Sequence, residues 1–88
     1  MTRTRTVQVP NAQGMHARPS AEFVKLASGF SSSIQVAKND LEVNAKSIMG
    51  VLMLAAEQGS ALTIRAEGED ADRAVEALAR LVRRGFDE

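Results

Sequence analysis

An apolar stripe with helical spacing in the last quarter of the sequence constrains the fold most. Apolar residues occur there at positions i, i+3, i+4, i+7, i+10 and i+11, namely Ala71, Ala74, Val75, Leu78, Leu81 and Val82. This spacing predicts an amphipathic helix with a single apolar face. Asp70 and Asp72 near its start match the positive end of the helix dipole, and Gly85 is expected to stop it. Such a helix needs a second layer against which it can bury that face.

Four short segments with alternating apolar and polar residues can supply that layer as strands. They are Thr4 to Val9, Ile34 to Val36, Leu41 to Val43 and Leu62 to Ala66. The turn residues Lys38-Asn39-Asp40 lie between the middle two segments and predict a hairpin.

Two further helices are expected between the strands. The first spans about Ala17 to Gly29, with its core-facing positions at Ala17, Ala21, Phe23, Val24 and Ala27. The second spans Ile48 to Gln58, between Ser47 as a helix N-cap and Gly59 as a C-terminal stop. The order βαββαβα predicts an α+β open-faced sandwich, in which three helices cover one face of a four-stranded antiparallel sheet.

Length and composition exclude several classes of protein. The 88 residues fit one domain, residues 1–88, and the eleven basic residues balance the eleven acidic ones. With no net charge, three Phe and no Trp or Tyr, the chain is not expected to bind nucleic acid. The absence of cysteine and the presence of one histidine exclude disulfides, thiolate catalysis and a multi-histidine metal site, and no cofactor is implied.

No membrane insertion is expected either. The longest apolar run, Ile48 to Ala56, has nine residues, which is too short to cross a bilayer. The basic residues at the start, which include Arg3 and Arg5, are not followed by the apolar segment of a secretory signal. The expectation is a cytoplasmic monomer, and the sequence assigns no role to these two arginines.

The single histidine stands where a loop becomes a helix, in the segment Gly14-Met15-His16-Ala17-Arg18-Pro19-Ser20. Pro19 suits a first helical turn, because its missing N–H group needs no acceptor there. His16 therefore lies at or near the N-cap, where unpaired N–H groups, the helix dipole and the Arg18 guanidinium can hold a phosphate. A neutral imidazole at this position can attack phosphorus with a ring nitrogen. An ordinary solvated histidine and arginine fit the same pattern equally well.

The second predicted helix carries two more candidate features. Ser47 is favoured as an N-cap, and a phosphoryl group at this position would also be tolerated by the helix dipole. The helix is apolar nearly all the way round, at Ile48, Met49, Val51, Leu52, Met53 and Leu54. Part of this surface is expected to remain exposed as a docking patch, unless the helix is buried between its neighbours.

Two of these segments resemble signatures of the HPr family, the histidine phosphocarriers of the bacterial phosphoenolpyruvate-dependent phosphotransferase system. The segment Gly14 to Ser20 is similar to the active-site signature of Gly, aliphatic, His, small, Arg, Pro, small. Asn44-Ala45-Lys46-Ser47-Ile48-Met49-Gly50 resembles the regulatory-serine signature. The resemblance covers nearly the whole chain, since its length, element order and motif spacing also fit.

The resemblance implies a phosphoryl carrier that is not itself an enzyme. His16 would accept a phosphoryl group on Nδ1 from phosphorylated enzyme I and pass it to an enzyme IIA domain in sugar uptake, with Arg18 steadying the phosphate. Ser47 would be phosphorylated by HPr kinase/phosphorylase, which lowers that transfer. The family's docking surface corresponds here to Ala17, Ile48, Met49 and Leu52.

Several alternatives remain open from the sequence. Gln13 stands where many sugar-system members have Asn, and Gly85-Phe86-Asp87-Glu88 resembles the nitrogen-related carrier, whereas Val43 to Leu54 resembles carriers with the serine switch. A second hypothesis is a regulatory co-effector that acts through phospho-Ser47 bound to a regulator. A third is a small ligand-binding α+β domain.

Overall fold

The computed structural model describes all 88 residues and has the expected order of elements. The elements are β1 (Thr2–Gln8), α1 (Ala17–Ser28), β2 (Ser33–Lys38), β3 (Leu41–Asn44), α2 (Ile48–Met53), β4 (Ala61–Glu67) and α3 (Ala71–Arg83). The strands form one antiparallel sheet in the order β1-β4-β2-β3. The predicted α+β open-faced sandwich is therefore confirmed.

The core lies between this sheet and the helices. On the central strand β4, alternate residues Leu62, Ile64 and Ala66 are fully buried, as the period of a half-buried strand requires. All six residues of the predicted α3 stripe are also buried. No helix in the structure has the length and apolar character that crossing a bilayer requires.

Strand β1 begins and ends earlier than predicted, so Arg3 and Arg5 lie within the strand. Their ion pairs give these two arginines a structural role. The strand runs from Thr2 to Gln8 instead of Thr4 to Val9, because its ladder with β4 extends to the pair Thr2 and Glu67. Arg3 Nε lies 3.3 Å from a carboxylate oxygen of Asp72, and Arg5 pairs with Glu76. Both arginines therefore connect β1 to α3.

The buried face of α1 is rotated from the predicted one. Ala17 and Ala21 are exposed, whereas Phe23, Ala27 and Ser20 are fully buried, together with Pro19. The ring of Phe23 removes far more apolar surface from water than two alanine methyl groups can, so its position decides which face turns inward.

Helix α2 is shorter than the predicted helix from Ile48 to Gln58. It ends at Met53, since Ala55 adopts a left-handed backbone with a φ of 48°. This turn points the chain inward so that Ala56 is buried. Gly59 belongs to a separate turn before β4 and does not end the helix.

Asp70 does more than complement the dipole of α3, because its side chain binds the loop before β2. Its carboxylate accepts hydrogen bonds from both the N–H and hydroxyl groups of Ser31 and Ser32, with both N···O distances at 2.9 Å. These bonds, the one from the Ser32 hydroxyl above all, hold the pKa of Asp70 well below its usual range. The side chain thus ties the loop before β2 to the start of α3.

Candidate functional site

His16 is the N-cap of α1, as predicted. Its backbone is extended, with φ −74° and ψ −170°, and its carbonyl oxygen accepts the Ser20 N–H at 3.0 Å. The imidazole does not cap the helix, and 35% of the side chain is exposed. Pro19 lies in the first turn, where an N–H group would have no intrahelical acceptor. The N–H groups of Ala17 and Arg18 are likewise left without an acceptor inside the helix.

The loop before His16 is fixed by contacts on both sides. The Met15 N–H donates to the Ala56 carbonyl at 2.8 Å, and the Met15 carbonyl accepts the buried Ser20 hydroxyl at 2.8 Å. Gly14 packs against the backbone of residues 56–57. Because α2 ends at Met53, the following turn can place the Ala56 carbonyl where it accepts the Met15 N–H and anchors this loop.

Glu88 joins the two predicted site residues, although it was not among the residues predicted for the site. Its Oε2 atom lies 2.7 Å from His16 Nε2 and 2.9 Å from a terminal nitrogen of Arg18. Arg18 also donates to Glu22 at 2.6 Å, one helical turn further along. His16 and Arg18 are therefore brought together through a carboxylate that is 72 residues away from the histidine in sequence.

Asn11 completes this cluster and was also missed. Its Nδ2 group donates to Glu88 Oε1 and to the Gly14 carbonyl, both at 2.8 Å. The hydrogen bond from Asn11 is the largest cause that lowers the pKa of Glu88, and the bonds from His16 and Arg18 act in the same direction. Glu88 is therefore ionised at neutral pH.

The geometry leaves one ring nitrogen of His16 available. Nε2 faces the Glu88 carboxylate, so Nδ1 is the nitrogen that remains for chemistry. The two unpaired N–H groups of α1 and the guanidinium of Arg18, which is 51% exposed, favour an anion beside the ring. The site lies on the surface and can be reached by a group held by another protein.

Ser47 is the N-cap of α2, which confirms that prediction. Its hydroxyl oxygen accepts the Gly50 N–H at 3.1 Å, and the residue is half-buried. Helix α2 packs against α1 and β3 through one side and leaves its other side exposed. The exposed apolar side chains, named here the α2 patch, are Ile48, Met49, Leu52 and Met53. Val51 and Leu54 are buried, so the expected split between a core side and an exposed side is correct.

The fold and this site define the class of small open-faced α+β sandwiches that expose a histidine at the start of a helix. A family model described as the PTS HPr component phosphorylation site matches residues 3–84. The chain belongs to this HPr family, whose members are phosphocarrier proteins and not catalytic enzymes.

Individual relatives agree with that assignment over nearly the full chain. The phosphocarrier protein HPr of Treponema pallidum is 46% identical over 84 residues, which cover 96% of each chain. The crystal structure of HPr-C-His from Thermoanaerobacter tengcongensis is similar with a TM-score of 0.94 and 45% identity, covering 98% of this chain and 97% of that one. HPr from Bacillus anthracis gives a TM-score of 0.89 at 47% identity, with 92% and 96% covered.

Proposed function

We propose that this chain accepts a phosphoryl group on Nδ1 of His16 from phosphorylated enzyme I and donates it to an enzyme IIA domain. The supporting observation is that Nε2 lies 2.7 Å from a Glu88 carboxylate oxygen, while His16 occupies the N-cap position of a helix whose first N–H groups are unpaired. In the acceptor step, the Nδ1 lone pair forms the bond to phosphorus. The bond from phosphorus to the donor atom breaks, and its electron pair leaves with the donor.

Arg18 has the role of receiving the phosphoryl oxygens. Its guanidinium lies beside the imidazole through their shared partner Glu88, and it is exposed enough to turn toward a group on the ring. The helix dipole and the N–H groups of α1 favour the same negative charge. Positioning and charge stabilisation are the main contributions expected for phosphoryl transfer.

Intact mass spectrometry after incubation with phosphoenolpyruvate, Mg²⁺ and purified enzyme I tests this function. We expect one added phosphoryl group, labile in acid and stable in base, in the wild type and none in His16→Ala. Arg18→Gln should be phosphorylated more slowly, whereas Arg73→Gln, which alters an exposed arginine of α3, serves as the matched charge control. Circular dichroism verifies that each variant is folded. Normal labelling of His16→Ala would contradict the assignment.

The same assay distinguishes the two branches of the system. We propose the sugar-uptake branch, and enzyme I from the sugar and nitrogen branches, offered separately, tests that choice. Faster labelling by the nitrogen-branch enzyme would favour the alternative carrier. No labelling by either enzyme would contradict the carrier role of His16.

We propose that Ala17 and the α2 patch form the docking surface for these partners. Ala17 is exposed at the start of α1, against which α2 packs. Met49, 67% exposed, and Met53, 66% exposed, offer flexible apolar side chains that can adapt to more than one partner. Met53 was not among the sequence-predicted docking residues.

A regulatory role for Ser47 is a second proposal, based on its place beside this patch. A phosphoryl group there, added by HPr kinase/phosphorylase, would meet the positive end of α2 and place negative charge next to Ile48 and Met49. Ser47→Asp should slow transfer from enzyme I relative to Ser47→Ala. If Ser47→Asp instead gains affinity for a regulator that the wild type does not bind, the co-effector hypothesis is favoured.

We further propose that residues 1–88 act as a single cytoplasmic domain and as a monomer. An HPr from Thermoanaerobacter tengcongensis has been crystallised as a dimer. Light scattering before and after phosphorylation tests the oligomeric state, and a mass twice that of the chain would contradict the monomer.

A further inference from the structure

The sulfur atoms of this chain lie mainly on its exposed surface, and two of them belong to the α2 patch. The 88 residues contain four methionines and no cysteine, so every sulfur atom is a thioether. Met49 is 67% exposed, Met53 66% and Met1, which precedes β1, also 66%. Met15, in the loop before His16, is buried. A reagent that attacks exposed thioethers would therefore act on the proposed docking surface and spare the anchored loop.

Met49 and Met53 form a pair on one side of α2. They are four residues apart in a helix, so their side chains lie on the same face. Ile48 and Leu52 flank them and are exposed as well, which means that solvent reaches this face. A small molecule in solution can therefore reach both thioethers, which in the proposed function are removed from water when a partner docks.

We propose that Met49 and Met53 are a modification site, at which a hydroperoxide oxidises the thioethers to sulfoxides and thereby weakens docking to enzyme I. This inference rests on the proposed function, which assigns the α2 patch to docking. In each oxidation a sulfur lone pair forms a bond to the terminal peroxide oxygen, and the O–O bond breaks. The proton of the transferred oxygen moves to the departing oxygen, which leaves as water or an alcohol. Sulfur is oxidised by two electrons, and the peroxide is reduced by two.

A sulfoxide changes the docking surface but not the core. The thioether is apolar and adapts to different partners, whereas the sulfoxide oxygen is polar and accepts hydrogen bonds. Docking would remove this oxygen from water without a matched donor, which costs binding free energy. Both side chains are exposed in the free protein, so their oxidation leaves the packing around the buried Met15 intact. His16 and Arg18 are likewise unchanged, so the phosphoryl acceptor stays competent.

The modification can be reversed by the thiol-dependent methionine sulfoxide reductases. In that reaction two thiols form a disulfide, the S–O bond breaks and the oxygen leaves as water. The chain has no cysteine, so both thiols belong to the reductase. The reduced α2 patch would regain its apolar character and with it the affinity for its partner.

Peptide mass spectrometry after treatment with hydrogen peroxide tests the first part of the proposal and needs no partner protein. We expect Met49 and Met53 to gain one oxygen atom each, at rates similar to that of the exposed Met1 and well before Met15 is oxidised. Circular dichroism should show a Tm within about 4 °C of the untreated protein, because changes at exposed positions have small effects on stability. Oxidation of Met15 at the same rate as the pair, or unfolding of the oxidised protein, would overturn the proposal.

Initial rates of phosphorylation by enzyme I test the second part, after the peroxide has been removed. With both methionines oxidised, we expect kcat/KM to fall roughly fivefold or more, the factor that corresponds to one polar group buried without a hydrogen bond. The loss should lie in KM with kcat unchanged, since the sulfoxides weaken docking and do not alter His16. Methionine sulfoxide reductase with a dithiol should restore the original value.

The double variant with Met49→Leu and Met53→Leu is the matched control. Leucine is apolar, is close to methionine in volume and has no sulfur to oxidise. Met1 remains oxidisable in this variant, so the comparison separates the docking pair from an exposed thioether elsewhere. The variant has its own baseline rate, and peroxide should leave that rate unchanged. An equal fall of kcat/KM in variant and wild type, or no fall in either, would overturn the proposal. Absence of phosphorylation in the untreated protein would instead contradict the carrier role, and this inference with it.

Discussion

Replacing Gly14 with alanine tests whether close packing fixes the loop before His16. Gly14 has a φ of +63°, and a Cβ atom there would lie 2.7 Å from the Cα atom of Glu57 and overlap the carbonyl oxygen of Ala56. Gly59 also has a positive φ, +89°, but a Cβ atom at this glycine would meet nothing within 4 Å. The two substitutions therefore share a conformational penalty and differ in crowding.

The expected loss of stability follows from these two contributions. A left-handed backbone costs an alanine about 1–2 kcal/mol, which is the whole effect expected for Gly59→Ala. Overpacking adds roughly 1–3 kcal/mol at Gly14, so Gly14→Ala should lower the free energy of unfolding by about 2–5 kcal/mol. In a chain of this size each kcal/mol moves the Tm by about 4–8 °C, so the Tm of Gly14→Ala should lie at least about 4 °C below that of Gly59→Ala.

Thermal and urea unfolding followed by circular dichroism measure both variants. The overlap at Gly14 involves backbone atoms of residues 56–57, which cannot move aside as a flexible side chain could. Relief of the overlap must therefore shift the loop that precedes His16. In addition to the loss of stability, we expect Gly14→Ala to accept the phosphoryl group from enzyme I more slowly than the wild type. Equal losses of stability in the two variants would refute the argument that crowding fixes the loop.

Four further outcomes are expected. Because the pKa of Asp70 is lowered on folding, its carboxylate stabilises the fold above about pH 4, the usual range of an unfolded Asp, and this stabilisation is lost as the pH falls. Urea unfolding at about pH 7 and pH 3 should accordingly differ less for Asp70→Asn than for the wild type. Ser47→Ala removes a helix cap and should lower the free energy of unfolding by about 0.5–2 kcal/mol in thermal melts. Met49→Gln should change stability by less than about 0.5 kcal/mol yet slow transfer from enzyme I, and an unchanged rate would count against the docking surface. Arg5→Gln should cost no more than about 1 kcal/mol, and the loss should shrink in 1 M salt, because its pair with Glu76 is partly exposed.

Elements with strong local periodicity were predictable from the sequence. The prediction that the apolar stripe of α3 is buried was correct at all six positions, because the packing of one helix face against one sheet determines it. The extent of α2 was not predictable in this way. Its residues favour a helix well beyond Met53, but the backbone turns at Ala55 so that the Ala56 carbonyl can bond to the loop before His16. A contact with a distant loop thus outweighed local propensity.

In the candidate site, too, the residues with a local sequence signal were predictable, and the residue that depends on tertiary contacts was not. His16 and Arg18 were identifiable because a helix start, a proline and a guanidinium within one turn have a local chemical meaning. Glu88 has no such signal, since its role depends on left-handed backbone at Phe86 and Asp87, which are not glycines. The buried Phe86 ring offsets that conformational cost in the core, and Glu88 reaches the histidine as a result. Packing in the core and the position of the Glu88 carboxylate beside the imidazole are therefore coupled through the turn from Gly85 to Glu88.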